Sequence, residues 1–312
     1  MRAEVARAIG ARAADIAFMR STSDGALMVA NGLDWREGDE IILSDDEFGA
    51  NAYPWLNLRD RGVQTVFARA PRERLTVDTL ERLATGRTRV VAVSMVGFSD
   101  GYRHDIAALG AWCRSRGVLF AVDAIQGFGQ LGLDVKASNI DVCYFGISKW
   151  LLSPQGLSVV YVRPELVERL RPGTCSWRSV RDPMNFLDYG QELADGAQRY
   201  EGATINYPAL AGFDVSLRLL LGAGLDRIQA HVLHLTDYLI GGAQRLGIPV
   251  VSDLNPKVRS GIVALGRRRS IEDLTKQADA AGVQVTIRDT VRVSPHGYNT
   301  EDDIDRVLDV LA

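Results

Sequence analysis

The hydrophobic positions of this chain change period repeatedly. Short apolar, β-branched runs occupy Ile16–Met19, Glu40–Leu43, Val63–Ala68, Arg89–Val96, Val118–Val122, Val142–Phe145 and Leu157–Val162. Most are separated by stretches with apolar residues three and four apart, such as Asp24–Leu33, Val77–Leu83 and Asp105–Arg116. Short apolar runs read as buried strands and the longer period as amphipathic helix. Their alternation predicts an α/β domain, a mostly parallel seven-stranded sheet with helices on both faces. Only the segment Lys149–Gly156 joins the last two runs. The seventh strand is therefore expected to run antiparallel, because a parallel return needs a longer crossover.

A polar stretch punctuated by Pro and Gly, Pro172–Thr204, leads into helical periodicity over Pro208–Leu220 and Asp226–Leu246, broken at Gly222 and Gly224. Short strands are then expected at Ile248–Ser252, Gly261–Leu265, Val283–Ile287 and Val291–Val293, with helices at Ile271–Ala280 and Glu301–Leu311. This reads as a large domain, 1–222, followed by a small C-terminal α+β domain, 223–312.

Two of the apolar runs end in charge. Val118-Leu-Phe-Ala-Val-Asp123 terminates in a carboxylate, and Tyr144-Phe-Gly-Ile-Ser-Lys149 in an amine. In α/β proteins the carboxyl edge of the sheet is where ligands bind. An acid from one strand and a lysine from the next suit pyridoxal 5'-phosphate (PLP): Lys149 would hold its aldehyde as a Schiff base and Asp123 would pair with the pyridine nitrogen. The alternative for Asp123 is a cap on a helix beginning at Ala124. Gln126 would then lie one helical turn on, on the same face, within reach of the ring's phenolic oxygen.

The turn Arg20-Ser-Thr-Ser-Asp-Gly25 joins a strand to a helix and is rich in hydroxyls. Such a turn exposes backbone N–H groups at a helix amino terminus and suits a phosphate, with Thr22 and Ser23 as side-chain donors, or it is an ordinary N-cap. Phe48, in Asp45-Asp-Glu-Phe48-Gly-Ala-Asn, is a candidate for a flat side chain lying on the cofactor ring, with core packing as the alternative.

Composition sharpens one of these assignments. Of 36 basic residues only Lys136, Lys149, Lys257 and Lys276 are lysines. A chain that uses arginine for generic positive charge has a specific reason to place a primary amine at a strand end, since only the amine forms an imine. The net charge of −3 carries no basic footprint for nucleic acid, and no apolar run approaches the length of a membrane span. The amino terminus has no signal-peptide pattern, so a cytoplasmic protein is expected. Cys113, Cys143 and Cys175 read as reduced, and no metal site is expected.

The motifs Thr22-Ser-Asp-Gly, Asp45-Asp-Glu-Phe-Gly-Ala-Asn, Val122-Asp-Ala-Ile-Gln, Ser148-Lys-Trp-Leu, Arg199-Tyr-Glu-Gly-Ala-Thr204 and Arg292-Val-Ser-Pro-His-Gly-Tyr-Asn-Thr300 together resemble class V aminotransferases. These are fold-type I PLP enzymes, and they include cysteine desulfurases, isopenicillin-N-epimerase-like and kynureninase-like proteins. The resemblance spans essentially the whole chain. It implies a Lys149 Schiff base, Asp123 on the pyridine nitrogen and Gln126 on the phenolic oxygen. It further implies that Thr22, Ser23 and Ser148 bind the phosphate, that Arg292 binds the α-carboxylate of a small amino-acid substrate, and that Thr204 reaches the phosphate of a partner across a homodimer. The expected activity is an aminotransferase, with an epimerase, a lyase or a catalytically impaired PLP-binding protein as alternatives. The pattern departs from the family at three points. Phe48 stands where desulfurases carry a stacking histidine. No cysteine lies between Gly261 and Arg292, where desulfurases carry their nucleophile, which disfavours a persulfide-forming activity. Relatives also have several dozen residues before the helix at Met1–Ala11, a segment that is expected either to have been lost here or to lie upstream of a misplaced start. Trp177 and Arg178 lie where relatives place a loop near the site, and Arg178 there would favour an acidic substrate.

Overall fold

The computed structural model describes residues 1–70 and 73–312. Seven strands form one sheet: β1 (Ile16–Met19), β2 (Glu40–Ser44), β3 (Gln64–Ala68), β4 (Thr88–Ser94), β5 (Leu119–Asp123), β6 (Val142–Gly146) and β7 (Ser158–Val162). Their order is β1-β7-β6-β5-β4-β2-β3. Strands β2 to β6 pair in parallel, whereas β7 pairs antiparallel with both β6 and β1, as the short connection before it requires.

The helices in the same stretch of chain are α1 (Arg2–Ala8), α2 (Thr22–Gly32), α3 (Gly49–Leu56), α4 (Val77–Leu83), α5 (Ile106–Arg116) and α6 (Tyr207–Ala223), of which α1 to α5 pack with the strands. Side chains alternate between the faces of a strand. One face, carrying Ala17, Ile41, Val90, Ala121, Tyr144 and Val160, is buried under Ala26 and Val29 of α2 and Trp55 of α3. On the other face, α5 comes so close that a methyl group on Gly110 would run into the Ser138 carbonyl and the Phe120 ring. Both faces being covered explains why the central strands are apolar throughout instead of alternating. Among the described residues no single helix is long and apolar enough to cross a membrane.

The contacts divide the chain into two compact units. The first comprises Met1–Met95, Asp105–Phe128 and Leu133–Gly222; the second comprises Ala223–Ala312 together with the loops Val96–His104 and Gly129–Gly132. Within the second unit, β8 (Val263–Gly266), β9 (Thr286–Ile287) and β10 (Thr290–Val293) form an antiparallel sheet of order β8-β10-β9. It shares a core with α7 (Leu225–Arg245), α8 (Ile271–Ala280) and α9 (Glu301–Leu311). The two loops are tied in by hydrogen bonds from Ser260 Oγ to the Gly101 carbonyl (2.7 Å) and from Gly261 N–H to Gln130 Oε1 (2.5 Å).

One expected strand is missing. Ile248–Ser252 forms only an isolated bridge, Val250 with Leu265. Pro249 has no N–H to donate, so a continuous ladder cannot form through it.

Candidate active site

The register aligns the ends of three parallel strands. Ser94 of β4 lies beside Asp123 of β5, and Asp123 beside Tyr144 of β6. Because β7 is antiparallel to both its neighbours, Met19 at the end of β1 and Gly146 at the end of β6 both sit opposite Ser158. The loop into α2 therefore arrives at the same edge as Asp123, as a ligand site at the carboxyl edge demands.

Asp123 is the last residue of β5 and only 2% exposed. One carboxylate oxygen accepts a hydrogen bond from Ile125 N–H (2.9 Å). Burial pushes its pKa up to about 7, against the opposing pull of that N–H and of the Lys149 charge. Among the described residues with shifted carboxyls, Glu47 is a second at about 7, again chiefly through burial.

The residues after Asp123 do not form the expected helix. Ala124–Phe128 is a turn, closed by Gly127 N–H and Phe128 N–H on the Ala124 carbonyl. The glycines at 127 and 129, the second with φ +106°, allow the chain to swing away after one turn. Gln126 is nonetheless buried beside the site, brought there by the turn and not by helical spacing. Its Oε1 accepts from Trp150 Nε1 (3.1 Å), so the carboxamide nitrogen is its donor end.

Lys149 lies three residues beyond β6 and is exposed. Its Nζ is 5.8 Å from the centroid of the Phe48 ring. Phe48 caps α3 and is 51% exposed, which excludes the core-packing alternative. Leu152, three residues past the lysine, has φ +55°, a conformation that costs a side-chain-bearing residue energy, and its N–H closes the lysine turn on the Lys149 carbonyl (3.1 Å).

Thr22 and Ser23 open α2, with Ser21 as its N-cap: the Ser21 hydroxyl accepts from Asp24 N–H (3.2 Å). Two glycines set how closely this helix start meets β6. A methyl group on Gly25 would stand 2.5 Å from the Tyr144 Cβ, and one on Gly146 would stand 3.2 Å from Thr22 Oγ1. The helix amino terminus packs directly on the end of β6 because neither residue carries a Cβ. Ser148 is half-buried beside Lys149.

The Arg199–Thr204 motif has a structural role that its sequence does not announce. Arg199 donates to the Ala194 and Val167 carbonyls, and Tyr200 donates to the Val167 and Leu170 carbonyls. Glu201, fully buried, receives Phe18 N–H (2.8 Å) and pairs with Arg178 (3.1 Å) and Arg2 (2.5 Å). This corrects the expected role of Arg178: its guanidinium is committed to Glu201 and to the Tyr207 hydroxyl (3.1 Å), not to a substrate. Thr204, at the end of the motif, is exposed and lines a 340 Å³ cavity with Arg20 and Asp24.

In the second unit, Arg292 on β10 is half-buried. It donates to the Phe98 carbonyl (2.6 Å) and the Thr286 hydroxyl (3.2 Å). Among the described residues no carboxylate pairs with it, and burial with the nearby Arg288 charge lowers its pKa.

Residues 1–307 match the family model described as Aminotransferase class-V. The chain belongs to the class V aminotransferase family. It is 29% identical over 332 residues to a probable cysteine desulfurase of Methanothermobacter thermautotrophicus, across 99% of this chain and 82% of that protein. The uncharacterized aminotransferase YcbU of Bacillus subtilis is 26% identical over 317 residues, across 100% and 82%. The apo structure of a cysteine desulfurase from Thermococcus onnurineus superimposes with a TM-score of 0.91 at 26% identity, across 99% and 81%.

The cofactor of this class V protein is PLP. The donor set fits it in kind: an amine for the aldehyde, a buried acid for the pyridine nitrogen, an amide donor for the phenolic oxygen, hydroxyls at a helix amino terminus for the phosphate, and a flat ring beside the amine. Gly25 and Gly146, where a Cβ would clash, bring the hydroxyl-bearing helix start onto the end of β6, next to the lysine turn.

Proposed function

We propose that this PLP-dependent enzyme is an aminotransferase acting on a small amino acid. When bound, the cofactor supplies an aldehyde that condenses with amines and a ring that draws electrons from the substrate's α-carbon. Lys149 Nζ would hold that aldehyde, give way to the substrate amine, and as a neutral amine take the α-proton and deliver it to the former aldehyde carbon, so that a keto acid can be released. Asp123 would keep a proton on the ring nitrogen. Gln126 would donate through its carboxamide nitrogen to the phenolic oxygen. Thr22, Ser23, Ser148 and the α2 amino terminus would hold the phosphate, and Phe48 would lie against the ring. Arg292, a half-buried cation with no carboxylate partner among the described residues, is suited to a substrate carboxylate through its planar donor pair.

The observation that carries the choice of transamination is the pairing of Lys149 with Phe48. Moving a proton from the α-carbon to the former aldehyde carbon needs one base. Epimerisation by two bases needs a second proton carrier, and a phenyl ring has none to give. The reading against it is a cysteine desulfurase, the name two groups of relatives carry. Sulfur transfer needs a thiol acceptor. Cys113 and Cys143 are buried, and burial raises both thiols, which opposes thiolate formation. Cys175 is exposed, in the first unit.

The test is incubation of the holoprotein with a panel of amino acids and a keto-acid acceptor. Keto acid should form from at least one donor, with sulfide release from cysteine negligible and unchanged in Cys175→Ser. Sulfide and alanine produced from cysteine, and lost in Cys175→Ser, would establish the desulfurase instead. The reading includes a homodimer, supported by the exposure of Thr204 beside Arg20 and Asp24. A particle of a single 34.1 kDa chain in sedimentation would refute that part.

A further inference from the structure

Next to the residues assigned above lies a group none of those roles uses. Glu47 immediately precedes Phe48, and its carboxylate crosses to β4, where Oε1 accepts from Ser94 N–H (2.6 Å) and Oε2 from the Ser94 hydroxyl (2.5 Å). Oε2 also accepts from Asn51 Nδ2 (3.0 Å), one turn along α3. Asn51 is fully buried, and its Oδ1 receives the Tyr144 hydroxyl of β6 (2.5 Å). Ser94 and Tyr144 are the two register neighbours of Asp123. Glu47 and Asn51 thus bridge β4 to β6 across the tip of β5, and the same short segment delivers Phe48.

We propose that Glu47 is a positioning residue for the cofactor: through Ser94, and through Asn51 and Tyr144, it clamps the three strand ends around Asp123 and fixes Phe48 at the lysine. The inference rests on the PLP site and adds a residue to it. Half-burying a carboxylate is costly, and here three donors, Ser94 N–H, the Ser94 hydroxyl and Asn51 Nδ2, offset that cost. A second negative group beside Asp123 also has an electrostatic effect, because like charges disfavour each other's ionisation. The groups facing this pair are Asp123 on β5, Cys143 and Tyr144 on β6, and Lys149 beyond it. The neighbouring Asp46 is turned to Arg74 (3.0 Å).

The experiment compares holoprotein of the wild type, Glu47→Ala and Glu47→Gln by two readouts other than turnover. The first is the rate of cofactor release on dilution, followed by the loss of its absorbance band. The second is the pH midpoint at which that band changes. Glu47→Ala removes the clamp and should release cofactor about tenfold faster or more, the cost of losing charge-assisted hydrogen bonds. Glu47→Gln keeps the shape and removes the charge. It should hold cofactor within about threefold of the wild type while its midpoint falls by roughly half a pH unit or more, as expected when a neighbouring negative charge is deleted. An unmoved midpoint in Glu47→Gln overturns the proposal, whether or not Glu47→Ala folds. So does a folded Glu47→Ala that keeps its cofactor as the wild type does. A wild type with no absorbance band would instead refute the PLP assignment itself, so the two failures are distinct.

Discussion

Lys149→Ala is expected to leave a folded protein that no longer forms a borohydride-stable adduct with PLP and whose activity has fallen by at least ~10³-fold. The size follows from the number of tasks lost. The side chain is exposed at the lysine turn with its Nζ 5.8 Å from the Phe48 ring, so removing it opens no core cavity and fold stability should change little. What disappears is the covalent hold on the cofactor and the base that moves the proton. Lys136, Lys257 and Lys276 are the other primary side-chain amines. Mass spectrometry of the reduced protein should therefore show one modified peptide in the wild type, containing Lys149, and none in the variant. An adduct surviving on another lysine would overturn the assignment.

Asp123→Asn should lower activity by about 10²–10³-fold, the scale of removing one charged group aimed at the reacting system, while the cofactor still attaches to Lys149. The variant preserves shape and the Ile125 N–H contact but not the negative charge. It also carries a stability signature. The Asp123 pKa is pushed up to about 7 in the folded protein without cofactor. An unfolded aspartate titrates near ~3.9. The folded state thus binds the proton more tightly, and this contribution to stability is complete at low pH and is lost as pH rises through about 7. The melting temperature of the wild-type apoprotein should fall as pH rises from roughly 4 to 7 and level off above that. Asp123→Asn should show a shallower fall, with a remainder owed to Glu47, whose pKa is likewise near 7. Binding of PLP should also flatten the curve, since a positive ring nitrogen favours the ionised acid. Identical slopes for wild type and variant would show that Asp123 does not titrate as its burial demands.

Much of the site was legible because its chemistry coincides with changes in local pattern. Asp123 and Lys149 interrupt apolar runs, so both stand out from the strands that carry them. The seventh strand's direction followed from the length of the connection before it. Other features were not legible. Gln126 reaches the site through a turn shaped by glycine, although its spacing from Asp123 imitates a helix. Ile248–Ser252 has the composition of a strand, but a single proline denies it a ladder. Arg178 looked like a substrate ligand until the fold placed a fully buried Glu201 against it. Glu47 and Asn51 gave one local signal, an acid and an amide one helical turn apart around an exposed phenylalanine, which by itself does not say that they face Ser94 and Tyr144.

The chain alone, through its alternating periods and the charged ends of two strands, determined the α/β architecture and the cofactor, and singled out Asp123 and Lys149 as the candidates to meet it. These are local properties, written within a few residues of each other. Only the folded structure decided that β4, β5 and β6 end in register, that Gly25 and Gly146 let the helix start pack against β6, and that Glu47 bridges the strands around Asp123. Those depend on contacts between residues tens of positions apart, and hydrogen-bond geometry across such distances is set by packing that no short stretch of sequence contains.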